Sequence, residues 1–227
     1  MRLYLLRHGQ TPANVAGELD TAAPGAGLTA LGHRQAEAVP GALADEPVAG
    51  IHVSRLVRTQ LTAAPLARAR GLEVVVQPGL EEISAGDLEM RSDEESVQAY
   101  AGCVAAWMEG DLDRTQPGGQ DGHGFLARYD AALREVASGH AAGDTVVVVS
   151  HGAAIRVYTA LRAAGAEVRE ATQRRITNTG AGVLEGDPDR GWRLVRWATE
   201  PLGGAHLVDR AAHDVTGDSA DEVLDED

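Results

Sequence analysis

Short, continuous apolar runs punctuate the chain at Leu3-Tyr4-Leu5-Leu6, Ile51-His52-Val53, Val74-Val75-Val76 and Val146-Val147-Val148-Val149. Their length and β-branched content predict strands. Helical patterns separate them. Leu28-Thr29 introduces a helix carrying Leu31, Gln35, Ala36 and Val39, and a second runs from about 57 to 69 with Gly71 as its stop. Two more lie between Ser92 and Ala137, broken by Gln116-Pro117-Gly118-Gly119, and a last one covers about 153–164. Residues 14–27, rich in Gly, Ala and Pro, read as a loop. Two strands, 181–185 and 192–197, flank a turn-rich segment and predict a terminal antiparallel hairpin. Alternating strands and helices predict a three-layer α/β/α sandwich whose sheet is mostly parallel, with that hairpin as its mixed element. One domain is expected over 1–210, with 87–124 available as a lid over the carboxyl edge of the sheet, followed by a tail over 211–227.

Composition narrows the classes. At 227 residues the chain can bury one substantial core. A net charge of -14 excludes nucleic acid and anionic membrane as partners, since both need clustered cations. Every basic side chain is arginine, with no lysine, so an arginine informs only through its context. Part of the acidity falls in the run from Asp218 to Asp227, read as solvated and disordered. Cys103, the single cysteine, rules out an intrachain disulfide and reads as a buried structural thiol in a reducing compartment. No apolar run approaches the roughly 20 residues of a membrane span, and the opening residues lack the features of a secretion signal. The protein is expected in the cytoplasm.

Two of the strands end in His-Gly: Arg7-His8-Gly9 and Ser150-His151-Gly152. In an open α/β sheet, residues just past the carboxyl ends of parallel strands line the ligand crevice, so the two histidines are expected to converge. Gly9 lets the backbone turn, Arg7 presents a bidentate cation, and neighbouring cations keep the His8 imidazole neutral and nucleophilic. Arg58 lies in the first turn of the helix after the second strand and points to the same edge. Leu80-Glu81-Glu82 follows the third strand and supplies a carboxyl group. His151-Gly152 opens a helix whose amides and positive dipole end favour an anion. The remaining histidines, His33, His52, His123, His140, His206 and His213, show no metal-ligand spacing and read as surface or capping residues. No metal and no cofactor is expected.

This ensemble resembles the histidine phosphatase superfamily, the phosphoglycerate mutase-like family. Arg7-His8-Gly9-Gln10-Thr11 with Asn14, the helix start from Leu28-Thr29 to Gln35-Ala36, the segment from Ser54 to Ala63, Glu82, Pro117-Gly118-Gly119 with Arg128, and Ser150-His151-Gly152 occur in the family's order. The resemblance implies that His8 is the phosphorylated nucleophile, that Arg7, Arg58, His151 and Gly152 complete the phosphate pocket, that Glu82 is the proton donor, and that Asn14 is a further phosphate contact. It selects Glu82 over Glu81 by register, because the family's acid lies two residues after the leucine. Ala85, Met90 and Gln120-Asp121 depart from the family's pattern and bear on the substrate pocket rather than on catalysis. The implied activity is metal-independent hydrolysis of a small phosphorylated metabolite through phosphohistidine. Mutase-type transfer is the alternative, and a non-catalytic phosphate-binding protein the alternative of another class. Over 91–121 the only cations are Arg91 and Arg114 against seven carboxylates, which favours hydrolysis and a neutral or cationic leaving group.

Overall fold

Residues 1–165, 170 and 173–218 are described in the computed structural model. Among them the strands are β1 (Arg2–Arg7), β2 (Val48–Val53), β3 (Val74–Val76), β4 (Thr145–Ser150), β5 (Ala163–Ala164), β6 (Ala181–Asp187) and β7 (Gly191–Ala198). The helices are α1 (Pro12–Ala16), α2 (Ala30–Ala42), α3 (Val57–Arg70), α4 (Glu94–Glu109), α5 (Gly122–Ser138) and α6 (Gly152–Arg162). One sheet runs β3-β2-β4-β1-β6-β7-β5. Its first four strands are parallel, β6 is antiparallel to β1, and β7 is antiparallel to β6.

The apolar runs are continuous because both faces of the central strands are covered. Leu3, Leu5, Val146 and Val148 point to one side and meet Tyr100 and Trp107 of α4, Phe125 and Tyr129 of α5 and Ile155 of α6. Tyr4, Leu6, Val147 and Val149 point to the other and meet Val39 of α2 and Ala63 and Leu66 of α3. The three layers and the antiparallel β6–β7 hairpin follow the sequence expectation. No helix among the described residues is long and apolar enough to cross a membrane.

Four details differ from the sequence reading. Within the expected loop, Thr11 caps α1, its side chain accepting from Asn14 N–H while the Asn14 side chain accepts from Thr11 N–H. Pro12 stands at the helix start and Gly17, at φ 71°, ends it. The last helix stops at Arg162, and Ala163–Ala164 instead extend the sheet beside Trp192 and Arg193 of β7. The segment between β3 and β4 does more than cover an edge: α4 buries Tyr100, Cys103, Val104 and Trp107 in the larger core. Finally, residues 211–218 are not a free tail. Asp214, Thr216 and Gly217 are buried, because Asp214 and Thr216 accept from the buried Arg7 at the sheet edge and Gly217 packs against it. The remainder of the expected tail, 219–227, lies outside the described residues.

Candidate active site

The parallel register of β1 and β4 runs without a slip from Arg2↔Thr145 to Arg7↔Ser150. It sets the next residues side by side, and the rings of His8 and His151 lie 5.2 Å apart at 59°. His8 Nδ1 is 2.8 Å from the carbonyl of Gly9, which can only accept. The proton is therefore on Nδ1, and Nε2 carries the lone pair. Burial first, then Arg58 and Arg7, pushes the His8 pKa well below the usual histidine range, so the ring is neutral. Gly9 serves close approach rather than a turn. A Cβ there would lie 2.7 Å from the Gly32 carbonyl of α2, and its φ is not in the left-handed region.

Both expected arginines are buried, each against a carboxylate. Arg7 donates from Nη1 to Asp214 Oδ2 and from Nη2 to Asp214 Oδ1, both at 2.5 Å, and also to the Ile176 carbonyl and to Thr216 Oγ1. Burial disfavours its charge, but Asp214 more than offsets this and the Arg7 pKa rises. Arg58 on α3 donates from Nη2 to the Asp20 carbonyl at 2.7 Å, with Nη1 3.4 Å from Asp20 Oδ2. In both arginines Nε is buried and without a partner among the described residues, and Arg7 Nε lies on the Gly152 side.

Geometry separates the two adjacent glutamates. Glu81 accepts from Arg55 Nε at 2.6 Å and from Gly79 N–H at 2.7 Å, and its carboxyl is held below the usual range. Glu82 is fully desolvated, and burial raises its pKa despite N–H donors from Ile83, Ala153 and Ala154 and the charges of Arg7 and Arg58. Glu82 is thus the one poised to carry a proton. Of the amides at the start of α6, expected to face a ligand, those of Ala153 and Ala154 are taken by this side chain. Arg128 of α5 fixes its backbone, donating to the carbonyls of Gly79, Glu81 and Glu82.

His151 caps α6, with Gly152 as the first helical residue. Its Nε2 lies 2.8 Å from Ser54 Oγ. The Thr59 hydroxyl donates to the carbonyls of Ser54 and Leu56, so the Ser54 proton goes either to Thr59 Oγ1, 3.1 Å away, or to His151 Nε2; donation to His151 puts the imidazole proton on Nδ1, the ring nitrogen without a partner among the described residues. Asn14 is close to the expected position but committed: Nδ2 donates to Asp214, and Oδ1 accepts from Thr11 and Asn178.

A neutral imidazole lone pair, two buried guanidinium groups, a second imidazole and a carboxyl whose pKa is raised by burial suit in-line acceptance of a phosphoryl group and protonation of the departing oxygen. Sequence reasoning missed Asp214, Asp20, and Ser54 as partner of His151. Asp20 and Asp214 belong to no local motif, and only the cations they neutralise point to them. One other expectation fails: His52 is buried, because its Nε2 bonds His140 Nε2 at 2.9 Å, and burial followed by His140 lowers its pKa to about 4. The carboxylates of 91–121 do not line the site. Asp93 caps α4 and pairs with Arg91, while Glu95, Glu109, Asp111 and Asp113 are exposed.

Known proteins are similar to this chain in sequence and fold. The family model of the histidine phosphatase superfamily, branch 1, matches residues 3–200. The PE-PGRS family protein PE_PGRS11 of Mycobacterium tuberculosis is 39% identical over 89% of this chain, which spans 37% of that relative's length. The probable phosphoglycerate mutase GpmB of Enterobacter sp. is 28% identical over 94% of this chain and 98% of its own. A solved mycobacterial glucosyl-3-phosphoglycerate phosphatase superposes with a TM-score of 0.72 at 29% identity, covering 88% of this chain and 99% of the other. With the histidine pair, the paired arginines and the buried glutamate in the places the motifs anticipate, the chain belongs to the histidine phosphatase superfamily, branch 1.

Proposed function

We propose that the protein hydrolyses a small phosphomonoester in two steps through phospho-His8. The observation that carries this reading is the His8 ring itself, neutral, with its proton on the Gly9 side and its lone pair free beside Arg7, Arg58 and His151. His8 Nε2 attacks phosphorus, the P–O bond to the leaving group breaks, and Glu82 gives its proton to the departing oxygen. Arg7, Arg58, His151 and the Gly152 end of α6 hold the equatorial oxygens. Glu82, now ionised, takes a proton from water as that water attacks phospho-His8, which releases phosphate and restores both groups. The reaction is metal-independent in this reading, because the charge a metal would supply comes from two buried guanidinium groups. A cytoplasmic setting accords with the single, buried, unpaired Cys103.

Hydrolysis rather than mutase-type transfer is the preferred activity, in line with the phosphatase name of the structural neighbour. Arg91 and Arg114, the only cations of the 91–121 segment, are both exposed, so that segment brings no buried charge to hold a second phosphate. Phosphate release from p-nitrophenyl phosphate, persisting after chelation and blocked by vanadate, tests the class. Interconversion of 2- and 3-phosphoglycerate primed by bisphosphoglycerate would replace hydrolysis with transfer, and an inert protein would leave phosphate binding.

A further inference from the structure

The peptide group between Asp20 and Thr21 is held from both sides. Its carbonyl, on Asp20, accepts from Arg58 Nη2 at 2.7 Å, and its N–H, on Thr21, donates to Glu89 Oε1 at 2.8 Å. In a trans peptide these two groups lie in one plane and point in opposite directions, so a single rigid unit stands between the Glu89 carboxylate and the Arg58 guanidinium. Its dipole runs from anion to cation, and bonds chained in this way polarise one another.

Both oxygens of Glu89 are committed to the same segment. Oε1 also accepts from Ala22 N–H at 2.8 Å, and Oε2 accepts from the Thr21 hydroxyl at 2.5 Å. That hydroxyl in turn accepts from Ala85 N–H at 2.9 Å, in the stretch that carries Glu82. Glu89 follows the single 3₁₀ turn Gly86–Leu88, and the backbone beside it is tied to the same loop: Leu19 N–H donates to the Arg91 carbonyl, and Met90 N–H to the Leu19 carbonyl. The Asp20 side chain is pinned separately, its Oδ2 accepting from Ala26 N–H at 2.9 Å and lying 3.4 Å from Arg58 Nη1. Burial disfavours the Arg58 charge, while Asp20, then Glu82 and Glu89, support it.

We propose that Glu89 is a positioning residue for Arg58: by holding the N–H of the 20–21 peptide it turns the opposite carbonyl to the guanidinium, and so fixes where Arg58 meets a phosphoryl oxygen. The proposal rests on the hydrolase reading only for Arg58 as a phosphate contact. Without the Glu89 carboxylate the peptide N–H loses its acceptor, the carbonyl turns away, and the guanidinium swings toward the Asp20 carboxylate.

A double-mutant cycle between Glu89→Ala and Arg58→Gln tests it, read as the Kd for inorganic phosphate by calorimetry and as kcat/KM for p-nitrophenyl phosphate. Glu89→Ala is expected to cost about tenfold in each quantity while Arg58 is present, and less than about twofold in Arg58→Gln. Glu89→Gln, which keeps an acceptor for the Thr21 and Ala22 amides, should recover most of the loss. Equal losses in both backgrounds would mean that Glu89 merely supports the loop, and they overturn the proposal, as does an unchanged phosphate affinity in Glu89→Ala. Should Arg58→Gln not fold, a crystal structure of Glu89→Ala decides: a displaced guanidinium supports the positioning role, and an unmoved one overturns it. If the wild type binds phosphate with the coupling intact but leaves the ester unhydrolysed, the hydrolase reading falls and the positioning role stands. A wild type that does neither overturns both.

Discussion

The guanidinium of Arg7 and the carboxylate of Asp214, separated by 207 positions, meet in a two-bond fork at 2.5 Å. Asp214 also accepts from Asn14 Nδ2, and a Cβ on Gly217 would fall 1.9 Å from Arg7 Nη1, so the 214–217 segment is moulded onto the arginine. Removing the carboxylate leaves a fully buried cation without its counter-charge, which costs about 3 kcal/mol or more. Asp214→Ala is therefore expected to lower the thermal midpoint by many degrees, and Asp214→Asn, which keeps one acceptor, by less. Unchanged melting of both variants would show that the fork does not hold this segment in place.

His8→Ala is expected to abolish the phosphoenzyme and to reduce kcat by about 10³-fold or more, while the fold persists. Brief incubation with labelled substrate and a basic quench should trap acid-labile label in the wild type only. Acid-stable label, or label retained in His8→Ala, would assign the nucleophile elsewhere.

Acid and base limbs of the pH profile are set by opposite shifts. The depressed pKa of His8 keeps the nucleophile neutral well below the usual histidine range, so kcat/KM should hold up on the acid side. Glu82, raised by burial, loses its proton as pH climbs through its folded value, so kcat/KM for an alkyl phosphate should fall there. Glu82→Gln removes that alkaline limb and lowers the rate by about 10²-fold or more, with a smaller effect on p-nitrophenyl phosphate, whose leaving group needs little protonation. Glu81→Gln, which removes an ionised partner of Arg55, should leave the profile's shape alone. An alkaline limb that disappears in Glu81→Gln instead would reverse the assignment.

The hydrogen bond between Ser54 and His151 Nε2 sets which ring nitrogen carries the proton facing the site. Ser54→Ala should cost about tenfold in kcat/KM, the worth of one such bond. Nitrogen NMR of His151 should show the Nδ1–H tautomer in the wild type and a mixture in the variant. An unmixed Nδ1–H tautomer in Ser54→Ala would mean another group fixes the ring.

Arg7, His8, Arg58, Glu82, His151 and Gly152 were legible because each stands just past an apolar run or at the start of a helix after one, where local pattern and position in the fold coincide. Asp20 and Asp214 were not. Each is an acidic residue in a segment whose composition reads as loop or tail, and its meaning comes from a cation brought to it by the fold. The same limit hid α1, whose Thr11-Pro12-Ala13-Asn14 signal was submerged in the Gly, Ala and Pro around it, and β5, where two alanines pair with the sheet edge without any strand propensity of their own. His52 sits in an apolar run, and its partner His140 lies 88 positions away, beyond any sequence window.

The unbroken ladder between β1 and β4 has a consequence for how such a protein can vary. The distance between the two imidazoles of the proposed site is set by six consecutive residue pairs and not by any of the chain that joins them. Insertions, deletions or wholesale replacement of α4 and the turns around it can remodel what the site admits while the reacting atoms keep their spacing. A slip of one position in the ladder would do the reverse, turning a buried row of side chains to the wrong face and parting His8 from His151 at once. Diversification is thereby channelled into the connecting segments, and the chemistry is inherited with the strand register.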